Sequence, residues 1–152
     1  MICGTVVTDL LVARRVGSVL VDVAIGIVVE DGRVLICRRK SDRADAFGGL
    51  WEFPGGKCEA GEAPDACVMR ELREELAIEV TPTTPLPVIE HDYPSVSVRL
   101  HPFVCRLVSG EPRAISAAEW RWVEGADLAG HRFPEANAGL IRGLVDLLGR
   151  EP

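Results

Sequence analysis

The 152-residue chain has few of the residues that mark secreted, membrane or nucleic-acid-binding proteins. Its five cysteines include no Cys-x-x-Cys pair, so we expect reduced thiols rather than zinc ligands or disulfides, as in a cytoplasmic protein. The mildly apolar start of the chain is interrupted by Asp9, which argues against a signal peptide or a membrane span. The chain has only 17 basic residues and 23 acidic ones, and this excess of negative charge disfavours stable binding to nucleic acid or to a membrane surface.

Length and composition indicate a single domain over residues 1–152 with a substantial core, because 47% of the residues are hydrophobic. Residues 1–18 form an N-terminal extension of unknown role, and an extra edge strand or an oligomer contact are both open. The oligomeric state is equally open between a monomer and a homodimer. An acidic protein that binds polyphosphate would need cations to do so.

The pattern of apolar and turn residues predicts an α/β fold in which a mixed sheet lies between helices. Asp31-Gly32 is typical of a tight hairpin turn between two β-branched runs. The proline-rich stretch 81–87 predicts a connection without regular structure. Strands are predicted at 19–30, 33–38, 50–54, 88–93, 96–108 and 119–123, and helices at about 64–76 and 135–148.

The most informative stretch is the predicted helix 64–76, which follows a glycine turn at Gly55-Gly56. Helical spacing gathers Glu71, Glu74 and Glu75 on one face, beside an apolar face. Like charges at this spacing cost a few tenths of a kcal/mol per pair, so folding alone gives no reason to collect them. A solvated acidic face is the structural alternative, whereas hard oxygen ligands on one helix suit Mg²⁺, or Mn²⁺.

The stretch 56–78, GKCEAGEAPDACVMRELREELAI, resembles the signature of the Nudix hydrolase family. The one departure is Ala77, where the family has glycine, and an alanine there would end the helix differently or under strain. The resemblance implies an α/β/α sandwich over about residues 19–148, and hydrolysis of a nucleoside diphosphate linkage by water. The matching positions are Gly56, Glu62, Arg70, Glu71, Leu72, Glu74, Glu75 and Ile78.

The resemblance also implies roles for these residues. Glu71, Glu74 and Glu75 match the metal ligands and catalytic carboxylates, with the carbonyl of Gly55 as a further ligand and Mg²⁺ as the cofactor. Arg70 would orient the cluster. The remaining matches in the turn, which would support the site without binding the metal, are Gly56, Lys57 and Glu62.

The base that activates water is less clear from the sequence. Members of the family often carry a glutamate about six residues before a tryptophan; Trp122 fits that tryptophan, but Ser116 occupies the glutamate position. Glu119 is the nearest acid and is a candidate base or ligand, and Glu74 or Glu75 are alternatives. A single histidine in a strand is more often structural, which is also the simpler interpretation of His91 and His101.

Substrate selection is predicted from separate segments. Arg38 and Arg39 end a strand and would bind phosphate or a base edge, although basic pairs also serve solubility. Phe53 would line a nucleobase pocket or belong to the core. The run Phe133-Pro134-Glu135-Ala136-Asn137 resembles the segment in which MutT-type members read an oxidised guanine, so Asn137 is a candidate reader unless it only caps the helix.

The expected function is therefore that of an Mg²⁺-dependent pyrophosphohydrolase in the cytoplasm. The resemblance implies that it converts 8-oxo-dGTP to 8-oxo-dGMP and pyrophosphate, and so sanitises the nucleotide pool. Alternatives are hydrolysis of pyrimidine triphosphates or of another nucleoside diphosphate derivative. A further alternative is a non-catalytic module that reads lesions, against which the intact glutamates argue.

Overall fold

The computed structural model describes residues 20–42 and 44–148, so the predicted N-terminal extension lies outside the described residues. Within the described ranges, no helix is both long enough and apolar enough to span a membrane. The strands are β1 Leu20–Glu30, β2 Arg33–Arg38, β3 Trp51–Glu52, β4 Gly55–Lys57, β5 Glu79–Pro85, β6 Ile89–Asp92, β7 Ser97–Ser109 and β8 Glu119–Glu124. The helices are α1 Pro64–Leu76, α2 Ala138–Leu148 and two 3-10 helices, Gly125–Gly130 and Glu135–Asn137.

Strand β1 lies at the centre of a mixed sheet. It pairs in parallel with β7 and antiparallel with β2 and β4. Strand β2 also pairs with β3 and β8, and β7 pairs with β5 and β6, all antiparallel. The predicted α/β class with a mixed sheet is confirmed.

The turn between β1 and β2 has the predicted hairpin geometry. Both turn residues have positive φ, 52° at Asp31 and 74° at Gly32. This geometry matches the right-handed twist of the strands, and it sets the register in which Val29 faces Val34.

The prediction for residues 81–87 is wrong over 81–85, which belong to strand β5. This strand pairs with β7 at the edge of the sheet, and its register shifts between Pro82 and Thr84. An edge strand needs hydrogen bonds on one side only, so prolines are tolerated there and at bulges. Proline content alone is therefore not sufficient to predict an irregular connection.

Two helices cover the sheet with separate apolar cores, as in an α/β/α sandwich. Helix α1 buries Val68 and Leu72 against β1, where Gly26 leaves space; a Cβ at Gly26 would lie 3.1 Å from the Val68 side chain. Helix α2 buries Leu144 in the second core. The predicted helix 135–148 begins as the 3-10 helix Glu135–Asn137 before it becomes α-helical.

Helix α1 ends at Ala77 in the left-handed conformation, with φ 58° and ψ 35°. The Ala77 N–H donates to the Arg73 carbonyl at 3.1 Å, and the Ile78 N–H donates to the Leu72 carbonyl at 3.4 Å. The first bond is that of the αL motif, a helix ending in which glycine is the usual residue. The helix thus ends as it would with glycine, and Ala77 adopts a backbone conformation that is strained for a residue with a side chain.

The loop after β7 caps the same helix end. The Arg113 N–H donates to the Leu76 carbonyl at 2.9 Å, and the Ile115 N–H donates to the Glu75 carbonyl at 3.2 Å. These bonds satisfy carbonyls that a helix end leaves without partners. They also place Ser116 beside the acidic face of α1.

Candidate active site

Arg70 is the centre of a hydrogen-bond network on α1. Its guanidinium donates to both carboxylate oxygens of Glu62, at 2.7 and 2.9 Å. It also donates to Glu71 and Glu74, each at 3.1 Å, and to the Lys57 carbonyl at 3.1 Å. One planar group with five N–H donors therefore fixes three carboxylates and the end of β4 relative to one another.

Glu62 joins the turn before α1 to this network. Its hydrogen bonds from Arg70, and then the N–H of Glu59, lower its pKa to about 2. It therefore stays ionised at neutral pH as a fixed partner for Arg70. This position is compatible with the predicted supporting role.

The two glycines of the turn bring backbone close to the carboxylates. Gly55 pairs with Ile25 in β1, and a Cβ there would collide with the Ala24 backbone. A Cβ on Gly56 would collide with the Glu71 carboxylate. The Gly55 N–H donates to Glu75 at 3.4 Å, which links the turn to α1.

The acidic face holds two carboxyl groups in surroundings that disfavour their charged form. Burial, followed by the carboxylates of Glu52 and Glu71, raises the pKa of Glu75 to about 8. Burial also raises the pKa of Glu71, although Arg70 opposes this. Crowded carboxylates of this kind are electrostatically suited to a divalent cation.

The donor set fits Mg²⁺ in its chemistry, because carboxylate and carbonyl oxygens are its preferred protein ligands. In residues 20–42 and 44–148, however, no three His, Cys, Asp or Glu side chains are already gathered as a metal site. Glu74 points to Arg70 instead. A cation held by Glu71, Glu74 and Glu75 would have to displace part of the Arg70 network.

A cavity of about 260 Å³ opens beside Glu75. Ser116 lies in its wall, so the loop position that lacks the expected glutamate does face the site. The remaining lining residues are Arg39, Lys40, Asp42, Asp45, Glu52 and Ala117.

Glu52 is a site residue that the sequence analysis missed. It is partly buried, it accepts a hydrogen bond from Arg39 at 3.4 Å, and it lines the same cavity as Glu75. Alternation in the short strand could have identified it, since Trp51 and Phe53 are buried in the core and Glu52 must point to the other face.

The two predicted arginines are held differently. Arg39 lines the cavity, where it donates to Asp45 at 2.8 Å as well as to Glu52. Arg38 donates to Glu119 at 2.8 Å across the β2–β8 pair, which lowers the pKa of Glu119. The structure thus places Glu119 in an ion pair on β8, outside the walls of the cavity that contains Glu75.

A second, mainly apolar cavity of about 120 Å³ brings together three predicted substrate residues, Arg39, Phe53 and Asn137. Phe53 is 3% exposed, and its ring lies 5.1 Å from that of Phe133, so it forms part of the core as well as the wall. Asn137 is 7% exposed, and its amide nitrogen donates to the Pro134 carbonyl at 3.4 Å. The other lining residues are Val23, Ile25, Phe47, Glu52, Tyr93, Val98, Leu100, Pro134 and Ala136.

The two histidines considered as bases line neither of these cavities. His101 bonds to Asp22 at 2.9 Å, and both line a separate cavity of about 550 Å³ that also includes Lys57. His91 lies 3.7 Å from Glu135. The structure therefore does not bring either histidine to the carboxylates of α1.

Arg39 and Glu52 line both the 260 Å³ and the 120 Å³ cavity. A ligand that passes between them would have one end among carboxylates and cations and the other in an apolar pocket. This arrangement suits a molecule with a charged, metal-binding part and a flat apolar part.

Comparison with known proteins identifies the family. A family model described as the NUDIX domain matches residues 23–143. The chain is 47% identical to an 8-oxo-dGTP diphosphatase of Proteus vulgaris over 58 residues, which is 38% of this chain and 52% of that enzyme. It is 32% identical to the 8-oxo-dGTP diphosphatase of Haemophilus influenzae over 128 residues, 84% of this chain and 93% of that one.

Two further comparisons extend this result. The chain is 44% identical to the CTP pyrophosphohydrolase of Escherichia coli over 62 residues, 41% of this chain and 44% of that enzyme. Among solved structures, one from work on MutT of Aliivibrio salmonicida and Vibrio cholerae superposes with a TM-score of 0.65 and 31% identity, over 83% of this chain and 96% of that one. The chain therefore belongs to the Nudix family and is a hydrolase of the MutT type.

Proposed function

We propose that this hydrolase is a metal-dependent nucleoside triphosphate pyrophosphohydrolase that prefers oxidised purine nucleotides. Its substrate would be 8-oxo-dGTP, and its products 8-oxo-dGMP and pyrophosphate. The observation that carries the proposal is that Arg39, Phe53 and Asn137, predicted from separate segments, line one apolar cavity. That cavity adjoins the carboxylate-lined one through Arg39 and Glu52.

The carboxylate end suits the phosphates and Mg²⁺. When bound by Glu71, Glu74 and Glu75, with the Gly55 carbonyl, Mg²⁺ would neutralise phosphate oxygens and lower the pKa of an attacking water. Arg70 donates to Glu71 and Glu74, and the part of this network that remains would help to orient those two carboxylates at the metal. No covalent intermediate on the protein is required.

Arg39 is suited to bind the phosphate chain. Its bond to Glu52 is long, at 3.4 Å, whereas its bond to Asp45 is short, at 2.8 Å. Asp45 would therefore continue to orient the guanidinium while a phosphate oxygen replaced Glu52. Arginine is well matched to such an exchange, since it presents several donors in one plane.

Asn137 is suited to read the base. Its side chain offers a donor and an acceptor, and oxidation at C8 of guanine changes N7 from an acceptor to a donor. Apolar walls beside the amide exclude water, so an unmatched polar group there would be costly. Removal of an oxidised triphosphate before a polymerase uses it would protect DNA. The enzyme would carry this out in the cytoplasm.

Pyrophosphate release from a nucleotide panel tests the proposal. We expect Mg²⁺-dependent turnover, with Mn²⁺ as a substitute, and a higher kcat/KM for 8-oxo-dGTP than for dGTP or CTP. In Asn137→Ala this preference should fall more than turnover does. Glu135→Ala, in the same turn but exposed, is the matched control and should keep the preference.

Two other outcomes of the panel are informative. Pyrimidine triphosphates are the second candidate substrate class, because one relative is a CTP pyrophosphohydrolase. A higher kcat/KM for CTP than for 8-oxo-dGTP would support this second class. Binding of 8-oxo-dGTP without turnover in Mg²⁺ or Mn²⁺ would instead indicate a lesion-reading module and overturn both enzymatic assignments.

A further inference from the structure

Tyr93, the one tyrosine of the chain, is fixed in a turn after β6. Its N–H donates to the Val96 carbonyl at 2.8 Å. Its ring contacts those of Phe47, at 4.8 Å between ring centres, and His91, at 4.4 Å. The side chain is therefore held by its neighbours and lines the apolar cavity.

The Tyr93 hydroxyl reaches the start of the closing helix. It accepts a hydrogen bond from the Ala136 N–H at 2.9 Å, although the two residues are 43 positions apart. Ala136 belongs to the 3-10 helix Glu135–Asn137, whose preceding residue, Pro134, provides no side-chain cap. The hydroxyl thus satisfies one of the N–H groups that a helix start leaves without a partner.

Asn137 directly follows Ala136, whose N–H donates this hydrogen bond. Ala136 and Asn137 are both buried, at 7% exposure each, and both line the apolar cavity. Movement of the turn would displace the Asn137 amide relative to a bound base. One hydroxyl therefore connects the β6 turn to the residue proposed to read the base.

We propose that Tyr93 is a positioning residue for base selection, because its hydroxyl holds the turn that carries Asn137 while its ring closes the cavity beside it. The inference rests on the proposed function. It adds a residue outside the family signature, and its effect on selectivity is exerted through Asn137.

Tyr93→Phe is the direct test, since it removes the hydroxyl and keeps the ring contacts. The ratio of kcat/KM for 8-oxo-dGTP to that for dGTP should fall by about 2- to 12-fold, the range expected for one hydrogen bond. Amide hydrogen exchange at residues 135–138 should become faster in the free protein. A purely structural role would slow both substrates equally and leave the ratio unchanged.

A double-mutant cycle tests whether the effect passes through Asn137. In an Asn137→Ala background, Tyr93→Phe should produce no further loss of preference, because the base reader is already absent. Additive losses in the double variant would overturn the inference.

Ser97→Ala is the matched control. The Ser97 hydroxyl is buried and donates to Asp92 in the same β6–β7 turn, but Ser97 does not line the cavity. Its loss should lower stability and leave the substrate ratio unchanged. A selective native enzyme whose ratio is unaffected in Tyr93→Phe overturns only this inference, whereas a native enzyme without preference for 8-oxo-dGTP overturns the proposed function and the inference together.

Discussion

Gly56 lies against the carboxylate of Glu71, so that a methyl group on its Cα would come within 2.7 Å of Glu71 Oε1. Movement of Glu71 is restricted, because Arg70 donates a hydrogen bond to it at 3.1 Å. The glycine of the turn is thus required by the position of a side chain on α1, and its role extends beyond turn formation. Contact between backbone and carboxylate also fixes the distance from the turn to the acidic face.

Gly56→Ala should therefore displace Glu71 and weaken metal-dependent activity. We expect kcat/KM to fall by about 5- to 160-fold, which corresponds to the roughly 1–3 kcal/mol cost of overpacking. Gly143→Ala in α2 is the control, because a Cβ there meets nothing within 4 Å. Activity assays with Mg²⁺ titration, together with thermal unfolding, would separate site displacement from global destabilisation; unchanged activity in Gly56→Ala would contradict the packing argument.

Arg70→Lys should reduce turnover although it preserves the charge. The guanidinium contacts three carboxylates and a carbonyl at once, whereas an ammonium group is too compact to satisfy all of them. We expect kcat to fall by about 10- to 100-fold with a smaller change in KM, by analogy with other groups that orient metal ligands.

Arg73→Lys provides the comparison on the same helix. Arg73 forms an exposed ion pair with Glu79 at 2.7 Å, away from the cavities. Exposed pairs contribute little to stability, so this variant should behave like the native enzyme in steady-state kinetics. Native-like kinetics in Arg70→Lys would show that Arg70 contributes only charge, whereas equal losses in both variants would show that the loss is not specific to the Arg70 network.

Much of the fold and site could be predicted because their causes are local in sequence. The Asp31-Gly32 turn and the helical spacing of Glu71, Glu74 and Glu75 depend on conformational preference and periodicity. The strand at 79–85 could not be predicted in this way. Its pairing with β7 depends on a partner more than ten residues away, which outweighs the local signal of its prolines.

The missed parts of the site arise from contacts between distant segments. Glu52 and Glu75 line one cavity only because β3 and α1 border it. Tyr93 bonds to Ala136 across 43 positions, for which the sequence gives no periodic signal. Asn137 was predicted from family resemblance and Phe53 from its aromatic side chain, and their common cavity could only be seen in three dimensions.

Ala77→Gly should stabilise the protein, because Ala77 adopts a left-handed conformation with φ 58°. The conformation costs a non-glycine residue roughly 1–2 kcal/mol. Relief of this strain would stabilise the folded protein, but part of the effect is lost because glycine has a larger conformational entropy in the unfolded chain. We expect a net increase of about 0.5–1 kcal/mol in the free energy of unfolding, measured by urea denaturation.

Ala66→Gly tests the same substitution in the opposite context. Ala66 is exposed in the first turn of α1, and glycine is less favourable than alanine in a helix, by up to about 1 kcal/mol in the interior. The two variants should therefore change stability with opposite signs. Destabilisation by both would mean that the end of α1 is not strained at Ala77.

Stability of the metal-free protein should depend on the ionisation of Glu75. Its pKa is about 8 in the folded protein, chiefly through burial, compared with 4.5 for an unperturbed glutamate. Below pH 4.5 both folded and unfolded states hold the proton, so Glu75 causes no penalty there. As pH rises from 4.5 to 8, the unfolded state releases its proton first, and stability falls by up to a few kcal/mol.

Urea unfolding with a chelator between about pH 5 and pH 9 would measure how the free energy of unfolding changes with pH. Glu75→Gln should flatten this dependence, whereas Glu111→Gln, in an exposed loop, should not. Mg²⁺ binds the ionised carboxylate and competes with the proton, so its stabilising effect should be larger at the alkaline end of this range. Equal stabilisation by Mg²⁺ throughout the range would show that Glu75 is not a metal ligand, because a ligand with this pKa must lose a proton to bind.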